Sequence, residues 1–286
     1  MNILNILDEI EKVDGEIYER LNPRRAAMKG FVNMGKKISL AALPLALGSV
    51  FNKAYGQTTP SGVTDVLNFA LSLEYLEYHF YNHAINASTP TPINSADLPA
   101  ITLIRNHEDQ HVKLLESALG TAKRSTLVYD NFDFTAGGGF ADVFTNYQTF
   151  LKVALAFEDT GVRAYKGQAG NLLGNDVLTT ALQIHSVEAR HAAKLRTLVA
   201  LRVSGASGLK PWISLGAGGV SNDTGIAAVD AVYARENTSS QANITITGIA
   251  TGVTAAAAAE SFDETLSRAE VVLIANQFIK TGFKLS

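Results

Sequence analysis

Two runs in this chain, Glu108-Asp109-Gln110-His111 and Glu188-Ala189-Arg190-His191, interrupt helical stripes that are otherwise apolar. A helix turns about 100° and rises about 1.5 Å per residue, so a Glu and a His three positions apart share one face and can reach the same ion. One such pair on its own is most often a solvated surface feature. Position in the stripe argues against that reading here. Ala181, Ile184, Glu188, His191, Leu195 and Leu198 follow alternating steps of three and four, and Ile104, Glu108, His111, Leu115 and Ala118 do the same. Four ionisable groups therefore point toward a core. Burying an unpaired carboxylate costs several kcal/mol or forces it neutral, and neighbouring carboxylates repel. Bound cations would relieve both penalties.

Two further helical patterns carry one inward carboxylate each. Leu67, Leu71, Glu74, Tyr78 and Tyr81 form one stripe, and Leu151, Leu155, Glu158, Val162 and Tyr165 form the other. Each Glu is followed two turns later by a Tyr on the same face, and Tyr81 and Tyr165 are the candidate catalytic residues, able to hydrogen-bond a ligand carboxylate or donate an electron. The same positions also suit plain core packing. Glu77, one turn from Glu74, could replace or supplement it, but its stripe of Ala70, Leu73, Phe80 and Ala84 has no counterpart around Glu158, so Glu74 is the better candidate. His107 and His185 are placed for outer contacts to the ligand residues or for surface contacts, and His79 and His83 for solvent or an interface. Asp109, Asp159 and Arg190 could hold the outer ring nitrogens of the inward histidines.

The four patterns span about Gly62–Ile85, Leu98–Gly120, Ala141–Gly167 and Asp176–Ser204. Ser61 or Thr64 could cap the first, Asp97 the second, with Pro99 in its first turn. Short links inside each pair and a long link containing Gly137-Gly138-Gly139 describe two helical hairpins joined by a flexible crossover. After Gly205 the composition turns to Gly, Ala, Ser and Thr, which reads as loop-rich decoration with a short strand within Asn243–Ile249. Ser261-Phe262-Asp263-Glu264 resembles a capping box opening a last helix, whose apolar face of Val271, Val272, Ala275, Phe278 and Ile279 would pack on the bundle or on a partner chain, the latter giving a homo-oligomer.

These features resemble one family. One Glu from each of two helices plus Glu-x-x-His from each of two others is the ligand set of the ferritin-like di-iron and di-manganese carboxylate proteins. The runs Leu73-Glu74-Tyr75-Leu76-Glu77-Tyr78-His79-Phe80-Tyr81 and His107 to Glu116 are similar to the first two helices of bacterioferritin and rubrerythrin relatives, and among these to an exported bacterial ferritin-like group related to plant desiccation-related proteins. The resemblance covers about Thr64 to Val203. It implies an all-α fold, a ferritin-like four-helix bundle with a crossover connection and a loop-rich C-terminal extension ending in a helix. It also implies two metal ions, iron or manganese, held by Glu74, Glu108, His111, Glu158, Glu188 and His191, with one imidazole per metal and the bridging carboxylates undecided.

The ends of the chain complete the expected plan: an export leader over 1–56, the bundle over 57–204 and the extension over 205–286. In the leader, Arg24-Arg25 precedes an apolar run from Ile38 to Phe51, and Ala54-Tyr55-Gly56 supplies small residues at the positions a signal peptidase reads. This resembles a bacterial twin-arginine signal and implies a periplasmic destination, although the bulky apolar residue usual two places after the arginine pair is missing. The apolar run is shorter than the roughly 20 residues that span a bilayer. The absence of cysteine excludes disulfides, thiolate metal sites and a cysteine nucleophile. A net charge of −3 without a basic stripe argues against nucleic acid as a partner. Expected partners are metal ions and oxygen or peroxide. The first functional expectation is a di-metal oxidoreductase that oxidises ferrous iron or removes peroxide; the alternative is a non-catalytic stress- or desiccation-related structural or metal-binding protein.

Overall fold

The computed structural model describes residues 61–286, so the expected leader lies outside the described residues. Four long helices carry the chain: α1 (Ser61–Asn86), α2 (Leu98–Leu119), α3 (Tyr147–Ala169) and α4 (Val177–Arg202). α1 packs along α2 and α3 along α4, and a long crossover joins the two hairpins. The all-α expectation holds, and three of the four helices begin and end within about two residues of the periodic patterns.

The exception is the start of α3, at Tyr147 rather than Ala141. The stretch before it runs as successive turns, and Asn146 is extended, with its side chain accepting from the Gln148 N–H at 3.0 Å, a side-chain cap that fixes the first helical turn. Asp97 stands at the cap position of α2 but makes no capping hydrogen bond. It instead accepts from Arg202 Nε (2.8 Å), Arg202 Nη2 (3.0 Å) and the Tyr147 hydroxyl (3.1 Å), tying the start of α2 to the end of α4 and the start of α3. A two-pronged guanidinium pair is the stronger claim on a carboxylate than one backbone N–H. The glycine run of the crossover is a defined turn. Gly137 and Gly138 take φ values of 68° and 99°, and Asp133 accepts from Thr135 and Gly137 N–H groups at 3.1 and 3.0 Å.

α2 and α4 each bury one face, as the stripes imply. α1 and α3 do more: Phe69 to Glu77 and Val153 to Tyr165 are buried without interruption. The extra cover comes from the crossover and from residues 205–286. Phe80 of α1 stacks on Phe150 of α3 (centroids 4.9 Å apart, 4° between planes) and meets Phe134 and Phe144 from the crossover, closing one end of the bundle with aromatic rings.

The extension is therefore part of the core, a correction to its reading as decoration. Its only strands among the described residues are β1 (Ser240–Gln241) and β2 (Ile244–Thr245), an antiparallel pair, and the alternation beyond them ends in a 3-10 turn at Ile246–Gly248. The helices α5 (Ala255–Glu260) and α6 (Arg268–Ala275) follow. The capping box opening α6 is Ser267 with Glu270, not Ser261 with Glu264. Ser261 instead bonds back to the Ala257 carbonyl at the end of α5, and Glu264 accepts from Gln241. Val271, Ile274, Ala275, Phe278 and Ile279 are buried, whereas Val272 is half exposed. Phe278 lies edge-on to Phe157 of α3 at 4.7 Å, so the last helix packs on its own bundle.

Two contacts lock the extension to α3. The wholly buried Arg163 donates from Nε to the Glu264 carbonyl at 2.8 Å, sends its other nitrogens to the Val232 and Ala234 carbonyls, and pairs with Glu236 at 2.9 Å. One turn on, Gly167 lies so close to residue 266 that a Cβ there would sit 2.0 Å from the Leu266 carbonyl oxygen. Gly167→Ala must push the extension off α3. We expect a loss of about 1–3 kcal/mol from this overpacking, seen as a Tm lowered by roughly 2–10 °C in thermal unfolding. Gly170→Ala, where a Cβ meets nothing within 4 Å, should leave Tm near the parent value.

Candidate metal centre

Because α1, α2, α3 and α4 all turn their carboxylate-bearing stripes inward, Glu74, Glu108, Glu158 and Glu188 meet at zero exposure, with His111 and His191 at 8% and 5%. The side chains fall into two overlapping groups. Glu74, Glu108, His111 and Glu188 bring one ligand-type atom each within 4.8 Å of one another, and so do Glu108, Glu158, Glu188 and His191. Glu108 and Glu188 belong to both.

In each group one imidazole nitrogen faces the carboxylates. His111 Nδ1 lies 3.1 Å from Glu74 Oε2, 3.0 Å from Glu108 Oε2 and 3.2 Å from Glu188 Oε1. His191 Nδ1 lies 2.9 Å from Glu108 Oε1, 3.1 Å from Glu158 Oε2 and 3.9 Å from Glu188 Oε2. The two tyrosines act across the bundle. The Tyr81 hydroxyl of α1 donates to Glu158 Oε1 of α3 at 2.6 Å, and the Tyr165 hydroxyl of α3 donates to Glu74 Oε1 of α1. Each thus serves the carboxylate of the other hairpin, a crossing that periodicity within one helix cannot express.

The charges are crowded. Burial, opposed by His111, pushes Glu74 up to about 7. Burial and neighbouring carboxylates push Glu188 and Glu77 well above the usual range. Burial also acts to raise Glu108, but hydrogen bonds from His111 and His191 outweigh it and hold that carboxyl down at about 2. His191 resists its burial because Glu158 and Glu108 face it, and rises to about 11; His111 is raised in the same way by Glu74. The carboxylates compete for too few protons: Glu188 Oε2 has no hydrogen-bond partner, and Glu108 Oε1 and Glu188 Oε1 meet only imidazole nitrogens that already face other carboxylate oxygens. Orphaned buried carboxylate oxygens beside inward imidazole nitrogens are a donor set that fits cations.

The surrounding residues divide unevenly. His107 Nδ1 lies 2.9 Å from His191 Nε2 with the rings stacked, so it contacts an inward histidine from the neighbouring helix. His185 bonds the Val162 carbonyl at 3.0 Å and stays outside the cluster. None of the three residues expected to hold a ring nitrogen does so. Asp109 pairs with Lys113 on the surface, Arg190 is exposed, and Asp159 accepts from Arg196 and from the Tyr233 hydroxyl, both at 2.8 Å. His79 and His83 are packed rather than solvated: His79 Nε2 lies 3.0 Å from the Leu127 carbonyl oxygen, and His83 stacks on Tyr129. Glu77 is 3% exposed and lies beside the cluster, outside both four-residue groups.

A family model described as a ferritin-like domain matches residues 62–201. No curated protein and no solved structure matches the chain. The matched span contains all four long helices but for a residue at each end, and every side chain of the buried Glu and His cluster. Residues 62–201 are a ferritin-like domain, and the chain belongs to the ferritin-like superfamily.

Proposed function

We propose that the buried cluster holds two metal ions, iron or manganese, and that the protein is an exported oxidoreductase that oxidises ferrous iron or removes peroxide. The observation that carries this reading is the pair of overlapping groups: four carboxylates and two imidazoles, out of water, with Glu188 Oε2 unpartnered. Carboxylate with imidazole suits iron or manganese. Glu74 and His111 would hold one ion and Glu158 and His191 the other, with Glu108 and Glu188, which belong to both groups, within reach of either. When bound, such a pair supplies the two electrons that oxygen or peroxide chemistry requires.

The chain's own groups are arranged to keep inner atoms free. Tyr81 and Tyr165 occupy Oε1 of Glu158 and Glu74, which leaves Oε2 of each toward a histidine Nδ1. His191 presents a lone pair at Nδ1 only if Nε2 carries the proton and donates it to His107 Nδ1, so His107 fixes both the tautomer and the ring angle. The tyrosine hydroxyls are also the phenols nearest the cluster and the candidates to give up an electron or proton during turnover.

Glu108→Ala and His191→Ala should each lose most of the iron or manganese that the parent chain binds, measured by elemental analysis of the purified protein. Variants that keep the parent's metal content would remove the ligand assignment. Oxygen or peroxide consumption by the loaded parent separates the enzyme from an inert stabilising clip. The export part of the proposal rests on the leader alone, and recovery of the chain from the cytoplasmic rather than the periplasmic fraction of its cell would overturn it.

Metal binding should depend on pH in a set direction. Glu74, at about 7, and Glu188, well above the usual carboxylate range, hold protons that an ion must displace, as do the raised His111 and His191. Glu74 binds its proton more tightly in the fold than in the unfolded chain, so its stabilising effect without metal is full below the ordinary Glu value and declines as pH rises through about 7, whereas that of His191 is full below the ordinary His value and declines only as pH rises through about 11. The Tm increase produced by a fixed manganese concentration should therefore be larger at pH 8 than at pH 5.5. An increase that shrinks with pH would contradict proton displacement.

A further inference from the structure

Glu77 is the one carboxylate of the cluster that the proposed metal pair does not use. Its side chain is 3% exposed, and the charged groups that act on it most are the carboxylates of Glu188, Glu158, Glu74 and Glu108. The two hairpins repeat one pattern, Glu74 with Tyr81 in α1 and Glu158 with Tyr165 in α3. In that register Glu77 corresponds to Gly161, each three residues past its glutamate.

The glycine is where the second half departs from the first, and it opens the space in question. A Cβ at Gly161 would sit 3.2 Å from Glu77 Oε1 and 3.2 Å from Glu188 Oε2, tighter than ordinary van der Waals contact for both. The two carboxylate oxygens thus flank one point and are no farther apart than twice that distance. Glycine is a poor residue for the middle of a buried helix, so its presence calls for a steric reason. Room for two carboxylates supplies one. Glu188 Oε2 has no hydrogen-bond donor, and the facing Glu77 brings only a second negative charge. An arrangement of this kind is relieved by a cation between or beside the two.

We propose that Glu77 is a seventh protein side chain on the metal centre, a carboxylate on the Glu188 side admitted by the missing side chain of Gly161. This rests on the metal-pair reading above. It makes Glu77 a supplement to Glu74, and it makes the centre unequal: the α1 side contributes two carboxylates one turn apart where the α3 side contributes one. The two ions then differ in how tightly they are held.

The test is titration of cobalt(II) alone into the metal-stripped full chain and its variants, read by calorimetry and by the visible absorption of bound cobalt. The parent should bind two ions with distinguishable affinities. Glu77→Gln should weaken one ion by about tenfold or more, change the absorption envelope, and leave the other ion as before. Glu77→Asp should behave like Gln, because the shorter side chain keeps the charge but loses the reach. If both variants match the parent in affinity and spectrum, Glu77 only packs and the proposal fails. If circular dichroism shows that neither variant folds, Gly161→Ala decides: its methyl group fills the space while Glu77 stays, so parental affinity and spectrum there also overturn the proposal. A parent that takes up no cobalt, matched by Glu108→Ala, sinks the metal-pair reading itself and this inference with it, an outcome distinct from loss of the Glu77 effect alone.

Discussion

Five carboxylates, Glu74, Glu77, Glu108, Glu158 and Glu188, are withdrawn from water in the middle of one helical bundle with two imidazoles for company. Everything around them answers that charge. Each buried ion carries an effective penalty of several kcal/mol unless paired, and five like charges raise it further. With no cation bound, protons carry the compensation, which is why Glu188, Glu77 and Glu74 are pushed up while both histidines stay protonated. A domain that tolerates such a cluster needs surplus packing elsewhere. The Phe80, Phe134, Phe144 and Phe150 rings at one end, and the extension over α3, supply apolar burial the four helices alone could not.

The inner cluster is close to two-fold in plan, and the layer outside it is not. Behind Glu74, the next residue, Tyr75, donates to Glu116 at 2.6 Å, and Glu116 meets Lys123 at 2.7 Å near the surface. Behind Glu158, the matching residue is Asp159, held by Arg196, which also pairs with Asp223 of the extension at 2.8 Å. The first arrangement is half open to water. The second is sealed, and Tyr233 from the extension closes it with a hydroxyl on Asp159. A pair whose carboxylate reaches the surface needs no cover, whereas a buried guanidinium does, and so the Asp223 and Tyr233 part of the extension settles against α3 and α4, while Arg268 reaches across to the Phe69 ring of α1.

How much of this could be read beforehand follows from what periodicity encodes. A stripe at steps of three and four states which side of a helix faces inward, so the convergence of Glu74, Glu108, His111, Glu158, Glu188 and His191 was legible, as was the pairing of helices from link lengths. Partners across helices are not encoded that way. The exchange of Tyr81 and Tyr165 between hairpins, and the contact of His107 with His191, depend on helix separation and stagger, which no spacing within one helix contains. Glu77 shows the same limit: its stripe reads as a second face, but only the gap at Gly161 reveals that this face also borders the cluster. The extension was misread because its chemistry is carried by main-chain carbonyls of residues 232, 234 and 264, invisible to composition, meeting an arginine that lies outside the inward stripe of α3.

That arginine has a consequence for the centre. Arg163 lies five residues past Glu158 and two before Tyr165, so α3 presents its inward Glu and Tyr and its outward anchor within two turns. A helix held only by apolar contacts can rotate slightly about its axis at little cost, since neighbouring rotamers repack. A guanidinium whose nitrogens meet three fixed carbonyls and the Glu236 carboxylate cannot follow such a rotation without leaving buried donors unmet. Gly167 removes the remaining freedom by bringing the backbone of α3 against that of residue 266. The extension therefore fixes the rotation of α3, and with it the direction in which Glu158 faces His191 and Tyr165 reaches Glu74, although the polar partners of both carboxylates come from the bundle itself.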